Sequence, residues 1–283
     1  MIVVLTIVVV PMLLAGGLAA AWVSSYFEQR LEQWIVEAAR VDETWLRAYQ
    51  NDAIMIGNVL AEQAAFVSAL DENGSIAMEP SVRRIADELG VNFLQIYSPD
   101  RKLIYSSTPL RGPPLWEPGQ TQAVLKVSDK RKTVLAAVGI TAIPRGAPAR
   151  YYLVMGSLLD QDFISELSQL TGLKTRLYYR EGRNYFDIFS VPGQVQSLKG
   201  LPKEALKRLQ RDKKPFYDVR AEDGRFRGQY TPVVNAQGHV EAIMFSGLER
   251  RGLDELLTNR AVLFVAISLV GILLGSGVGL LIS

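Results

Sequence analysis

Residues 1–27 are uncharged and mostly apolar, residues 261–283 repeat that character, and a long polar block lies between them. An apolar run of roughly 20 residues crosses the hydrocarbon core of a bilayer as a helix. The pattern therefore predicts two transmembrane helices, 1–24 and 261–283, with a folded block on one side of the membrane. The small residues Ala19, Ala20 and Ala21 resemble a signal-peptide cleavage site. However, no positive segment precedes the apolar run, and the run is longer than a signal core of about 7–15 residues, so an uncleaved anchor is expected. Beyond it, Phe27, Leu31, Trp34, Ala38, Val41, Trp45 and Ala48 recur at alternating spacings of four and three. That is the seam of an amphipathic helix over 25–65. No proline stands between Met12 and Met78, so at 1.5 Å per residue this helix extends about 60 Å from the bilayer. Its membrane-proximal part is expected to pair with a second copy and the remainder to pack on its own domain.

Past a turn at 71–75, a short helix is predicted over 80–89, closed by Gly90. Residues 91–98 alternate as a strand, with Leu94 and Ile96 on one face and Phe93, Gln95 and Tyr97 on the other. A turn at 99–102 leads to a strand at 103–107. The segment 109–118 holds four of the thirteen prolines and predicts a loop over the sheet, followed by a short helix near 120–127. Residues 133–143 and 150–158 form a hairpin, and 160–170 a helix stopped by Gly172. The order then recurs: a hairpin at 173–179 and 185–189, a helix at 202–209, and strands at 215–219, 226–233 and 240–246. The fold class is α+β. Two tandem units, 66–160 and 161–248, are followed by an exit helix at 249–260 that runs into the second span.

Thirty-one basic residues balance 29 acidic ones, which gives no nucleic-acid footprint. The absence of cysteine removes disulfides, thiolate metal sites and cysteine nucleophiles from consideration. The one histidine, His239, falls in a turn with no carboxylate spaced as a triad partner, and no helical histidine phosphoacceptor motif is present. Asp160 and Asp162 open a helix, where carboxylates suit the dipole. Gly271, Gly275 and Gly279 suit close helix packing in a membrane better than phosphate binding. No catalytic residue, metal site or cofactor is predicted. A small-molecule site is the better reading, because aromatic walls with a few polar groups are what such a pocket needs. The candidates are Phe93, Gln95, Tyr97, Tyr105, Ser107, Tyr151 and Tyr152 in the distal unit. Arg176 and Tyr178 are the proximal candidates, where an arginine suits a carboxylate. Basic residues from Lys203 to Lys214 could touch lipid headgroups or form a solvated helix face.

The phrase GVNFLQIYSPDRKLIYSS resembles the central hairpin of Cache sensor domains, which are PAS-like extracytoplasmic modules. The phrase LKRLQRDKKPFYDVRAEDGRFRGQYTPVVNAQGHVEAIMFSGLERRGLDELL resembles the end of a membrane-proximal Cache unit. It carries Tyr230-Thr231-Pro232-Val233, the turn from Asn235 to Gly238, and the strand Ile243 to Gly247. The resemblance covers roughly residues 60–257 and implies a double Cache receptor: a homodimer in the bacterial inner membrane, two-pass, with a periplasmic sensor that binds a small molecule. It implies in particular a sensor histidine kinase whose output module follows Ser283. The alternatives are a chemoreceptor, a diguanylate cyclase sensor, or a protein-interaction scaffold without a ligand. The Arg-x-Trp-Tyr signature of amino-acid-binding members is absent, so that ligand class is not implied.

Overall fold

The computed structural model describes residues 2–64, 66–68, 70, 71, 84, 91–110, 116, 119–128, 133–144, 148–188, 201, 203–235 and 237–251, without the side chains of residues 2–14 and 20. The predicted helix at 80–89, Arg84 excepted, lies outside the described residues, as do the exit helix beyond Arg251 and the run 261–283. Among the described residues, no helix is long and apolar enough to cross a membrane.

One helix, α1 (Ile2–Glu62), is the spine. Its buried positions Ile35, Ala39, Asp42, Leu46, Gln50, Ala53, Gly57 and Leu60 trace a continuous stripe. This is not the predicted seam. Phe27, Trp34 and Val41 stay 40%, 43% and 42% exposed, while Leu31, Ala38, Trp45 and Ala48 are half-buried at the edge of the contact. The reason is close approach. A Cβ on Gly139 would lie 2.6 Å from the Ile54 amide nitrogen, and one on Gly57 would lie 2.5 Å from Thr141 Oγ1. The face that docks is the one with little bulk, and its Asp, Gln and Gly disguise it in a hydrophobicity pattern.

Two five-stranded antiparallel sheets pack along this spine. The distal sheet holds β1 (Phe93–Tyr97), β2 (Leu103–Ser106), β3 (Gln122–Ser128), β4 (Thr133–Ile143) and β5 (Tyr151–Leu158) in the order 2-1-5-4-3. After α2 (Gln161–Thr171), the proximal sheet holds β6 (Lys174–Glu181), β7 (Asn184–Asp187), β8 (Phe216–Arg220), β9 (Phe226–Val234) and β10 (Val240–Glu249), with α3 (Lys203–Asp212) inserted before β8. Its order is 7-6-10-9-8, the distal arrangement repeated. The tandem α+β organisation is therefore present.

One predicted element is corrected. The segment near 120–127 is strand β3, not a helix: seven successive residues pair with β4, from Gln122 opposite Gly139 to Ser128 opposite Thr133. Ala123, Leu125 and Val127 fill one face and Val124 the other, so both faces are covered. A strand buried on both sides loses the alternation that marks a half-exposed one.

Each sheet has a face toward α1 and a face away from it. In the distal unit, Leu94, Ile96, Tyr105, Leu153 and Met155 pack with Leu60 of α1. On the far face are Phe93, Tyr97, Val138 and Val154. In the proximal unit, Leu177, Val233, Ala242 and Met244 pack with Leu46 and with Phe163 and Leu167 of α2. The far face carries Tyr178, Tyr230, Ile243 and Phe245 beneath Leu209 of α3. Helix α2 begins on Asp160, whose carboxylate accepts from the amides of Asp162 and Phe163, and ends at Gly172 with φ of 68°, as capping requires. The units are tied where Lys126 Nζ donates to Arg180 O at 3.1 Å and lies 5.1 Å from the Tyr179 ring centroid.

Candidate ligand-binding site

Strand alternation divides the distal candidates into two groups. Phe93, Gln95 and Tyr97 point to the far face, and Tyr152, opposite Tyr97 across the β1–β5 ladder, joins them. Tyr105 pairs with Ile96 and therefore shares the α1 face. Tyr151 also lies there, its hydroxyl 3.2 Å from Asp71 Oδ1. Ser107 is tied to the main chain, its Oγ accepting from the Leu94 amide at 3.0 Å. Of the seven distal candidates, four lie on one sheet face.

Trp116 packs over that face. Its ring stands edge-on to Tyr97 at 4.9 Å between centroids and to Tyr152 at 6.1 Å, and it is only 2% exposed. Beneath it Gln95 is fully buried: Nε2 donates to Ser106 Oγ at 3.1 Å and to Leu110 O at 3.0 Å, and Oε1 accepts from the Tyr97 hydroxyl at 2.7 Å. The indole Nε1–H of Trp116 is buried without an acceptor among the described residues. Leaving such a donor unmatched costs about 1–3 kcal/mol, so this aromatic plug packs among apolar side chains while holding an unused polar group. The predicted proline-rich cover thus contributes an aromatic side chain that was not among the sequence candidates, although a tryptophan in a loop over a strand face was the available signal.

In the proximal unit Arg176 and Tyr178 are two residues apart on β6 and share its far face, as Gln95 and Tyr97 do on β1. Both reach Glu222, in the connection between β8 and β9. The Tyr178 hydroxyl donates to Glu222 Oε1. Arg176 Nη1 lies 2.9 Å from Oε2, outside the alignment of a good hydrogen bond, so the contact is an ion pair. Burial and the Glu222 charge push the Tyr178 hydroxyl far above the ordinary tyrosine range, which keeps it a donor. A third cluster links α1 to the proximal sheet. Ser246 of β10 donates to Asp42 Oδ2, and Thr175, Gln229 and Thr231 are buried on the same sheet face. Desolvation pushes Asp42 up from 3.8 to about 6, against the lowering effect of the Ser246 bond. Among the described residues no group of His, Asp or Glu could hold a metal ion.

Two five-stranded antiparallel sheets of one strand order, packed along a long helix, make a tandem α+β architecture. Residues 62–178, from the end of α1 to β6, match the sequence model of the CHASE4 domain. The structure is similar to the periplasmic domain of Vibrio cholerae LuxQ, at 12% identity and a TM-score of 0.50, over 76% of this chain and 99% of that one. It is similar also to the extracellular domain of a protein assigned as a histidine kinase, at 13% identity and a TM-score of 0.50, over 82% of this chain and 95% of the other. At such identities the likeness is one of fold. A search of curated proteins gives no match.

Proposed function

We propose that the chain is the ligand-sensing and transmembrane-signalling part of a receptor, anchored by residues 1–24 and 261–283. The intervening units would lie outside the cytoplasm, and an output module, foremost a histidine kinase, would follow Ser283. The single observation that carries the sensing role is the buried Gln95 with Tyr97, Tyr152 and the unmatched Trp116 donor on one sheet face. Polar groups gathered under an aromatic plug suit a small ligand that displaces or re-seats the plug. Ligand binding would bias two arrangements of the units along α1, and β10 would deliver the difference to the second span.

The membrane arrangement is supported by the two uncharged runs. With no native cysteine in the chain, a cysteine placed at Asp162 is expected to react with a membrane-impermeant maleimide in intact cells, and labelling seen only after lysis would refute the topology. The ligand site is tested by thermal-shift screening of the full chain in detergent against small metabolites. A compound that raises the midpoint by several degrees in the native chain is expected to lose its effect in the Gln95→Ala variant. Equal shifts in both would place its site elsewhere. A scaffold role is favoured by the exposed Tyr26, Phe27 and Trp34 on α1, and it would be distinguished by silence throughout that screen.

A further inference from the structure

The proximal unit carries a feature that the sensing role leaves unused. Glu222 is 4% exposed, yet it sits in the short connection between β8 and β9, where a charged residue would ordinarily face water. The backbone is bent to bring it inward. Glu222 has φ 50° and ψ 59°, and Asp223 has φ 61° and ψ 31°. Two consecutive non-glycine residues in the left-handed region persist only where their surroundings hold them. The carboxylate they deliver lies between the Tyr178 hydroxyl and the Arg176 guanidinium, and Arg176 also lies 5.8 Å from the centroid of the Phe226 ring. Glu222 does not use all of this cradle. Arg176 meets it off line, leaving Glu222 Oε2 buried without a well-formed hydrogen bond. The Arg176 side chain keeps 20% exposure, so the cradle opens to solvent on one side.

We propose that Arg176 and Tyr178 form a carboxylate-binding site that the chain occupies with its own Glu222, and that a free small monocarboxylate binds there by displacing it. A guanidinium with a neutral hydroxyl donor matches one carboxylate, and an untethered one can take the in-line geometry that the Glu222 backbone denies it. Displacement frees the turn from Ala221 to Gly224 and thereby the joint between β8 and β9. This site is separate from the distal one and stands whether or not the distal unit binds anything.

The test uses the full chain in detergent with propionate as probe, read by saturable broadening of its carbon-13 carboxylate resonance and by the thermal midpoint. Glu222→Gln removes the competing charge with little change of shape and is expected to bind propionate at least tenfold more tightly than the native chain. Adding Arg176→Lys to that variant is expected to abolish the gain, which separates this site from any distal binding. Glu222→Ala is expected to melt at a lower temperature and to recover with propionate, but not with propionamide or sodium chloride at equal concentration. The proposal is overturned if Glu222→Gln shows no saturable propionate binding, or if propionamide or chloride serves as well. It is overturned also if Glu222→Ala fails to fold and propionate does not restore it, since a vacated carboxylate cradle must accept a carboxylate.

Discussion

Asp42 shows how one residue can set a pH response. It is fully buried between α1 and β10, and desolvation holds its carboxyl near 6 against an ordinary 3.8. Because the folded state binds the proton more tightly than the unfolded chain does, the penalty is absent below about pH 4. It grows as pH rises toward 6 and is complete above that, amounting to about 3 kcal/mol. Thermal midpoints should therefore fall between pH 4 and 6. Asp42→Asn should flatten that segment and stabilise the protein at pH 7.5 by about 1–2 kcal/mol, less than the full penalty because an amide is then buried; an unchanged pH profile would refute this. At this scale the sequence was partly legible. Gln95 and Tyr97 could be placed on one face from alternation alone. Asp42 could not be distinguished from a solvent-facing acid on an amphipathic helix, and Glu222 lay in an Asp-Gly turn, where burial is the exception.

At the scale of the elements, α1 is held by close approach to backbone at two glycines as well as by large side chains. Gly139 of β4 lies under Ile54, and Gly57 faces Thr141. Gly139→Ala should force the helix and sheet apart, costing about 1–3 kcal/mol by overpacking, whereas Gly17→Ala, with no neighbour within 4 Å, should cost nothing measurable in the same denaturant titration. Equal effects at both positions would refute the close-packing account. The same reliance on small residues explains which elements could be read in advance. Nine of the ten strands follow from runs of β-branched and aromatic residues between turn residues, whereas β3, with Gln, Ala, Leu and Lys, reads locally as a helix. Its state is decided by the ladder with β4, a contact between segments that no local window contains. The docking stripe of α1 was hidden for a related reason, since its contacts select residues for smallness.

For the whole molecule, the exposed stripe through Phe27, Trp34 and Val41 lies beside the face that packs on the sheets, a placement that leaves it available to a second copy of α1. Single cysteines replacing Trp34 or Val41 should crosslink two copies in membranes under mild oxidation, and one replacing Arg40, on another face, should not. Equal yields at all three would exclude a seam there. The division into two units was legible from the recurring strand and helix order, and the shared strand order makes that repetition a property of topology.

The position of β10 has a mechanical consequence. It lies between β6 and β9, paired to both along most of its length, and the Arg250 amide just beyond it donates to Arg225 O at 2.8 Å. Antiparallel ladder bonds run perpendicular to the strands, so a pull along the chain toward residue 283 loads both ladders in shear at once instead of peeling them one bond at a time. The proximal sheet would then transmit such a load as a rigid plate. The yielding element would be the layer where Asp42 meets Ser246, with polar side chains beneath α1 in place of interlocking apolar ones.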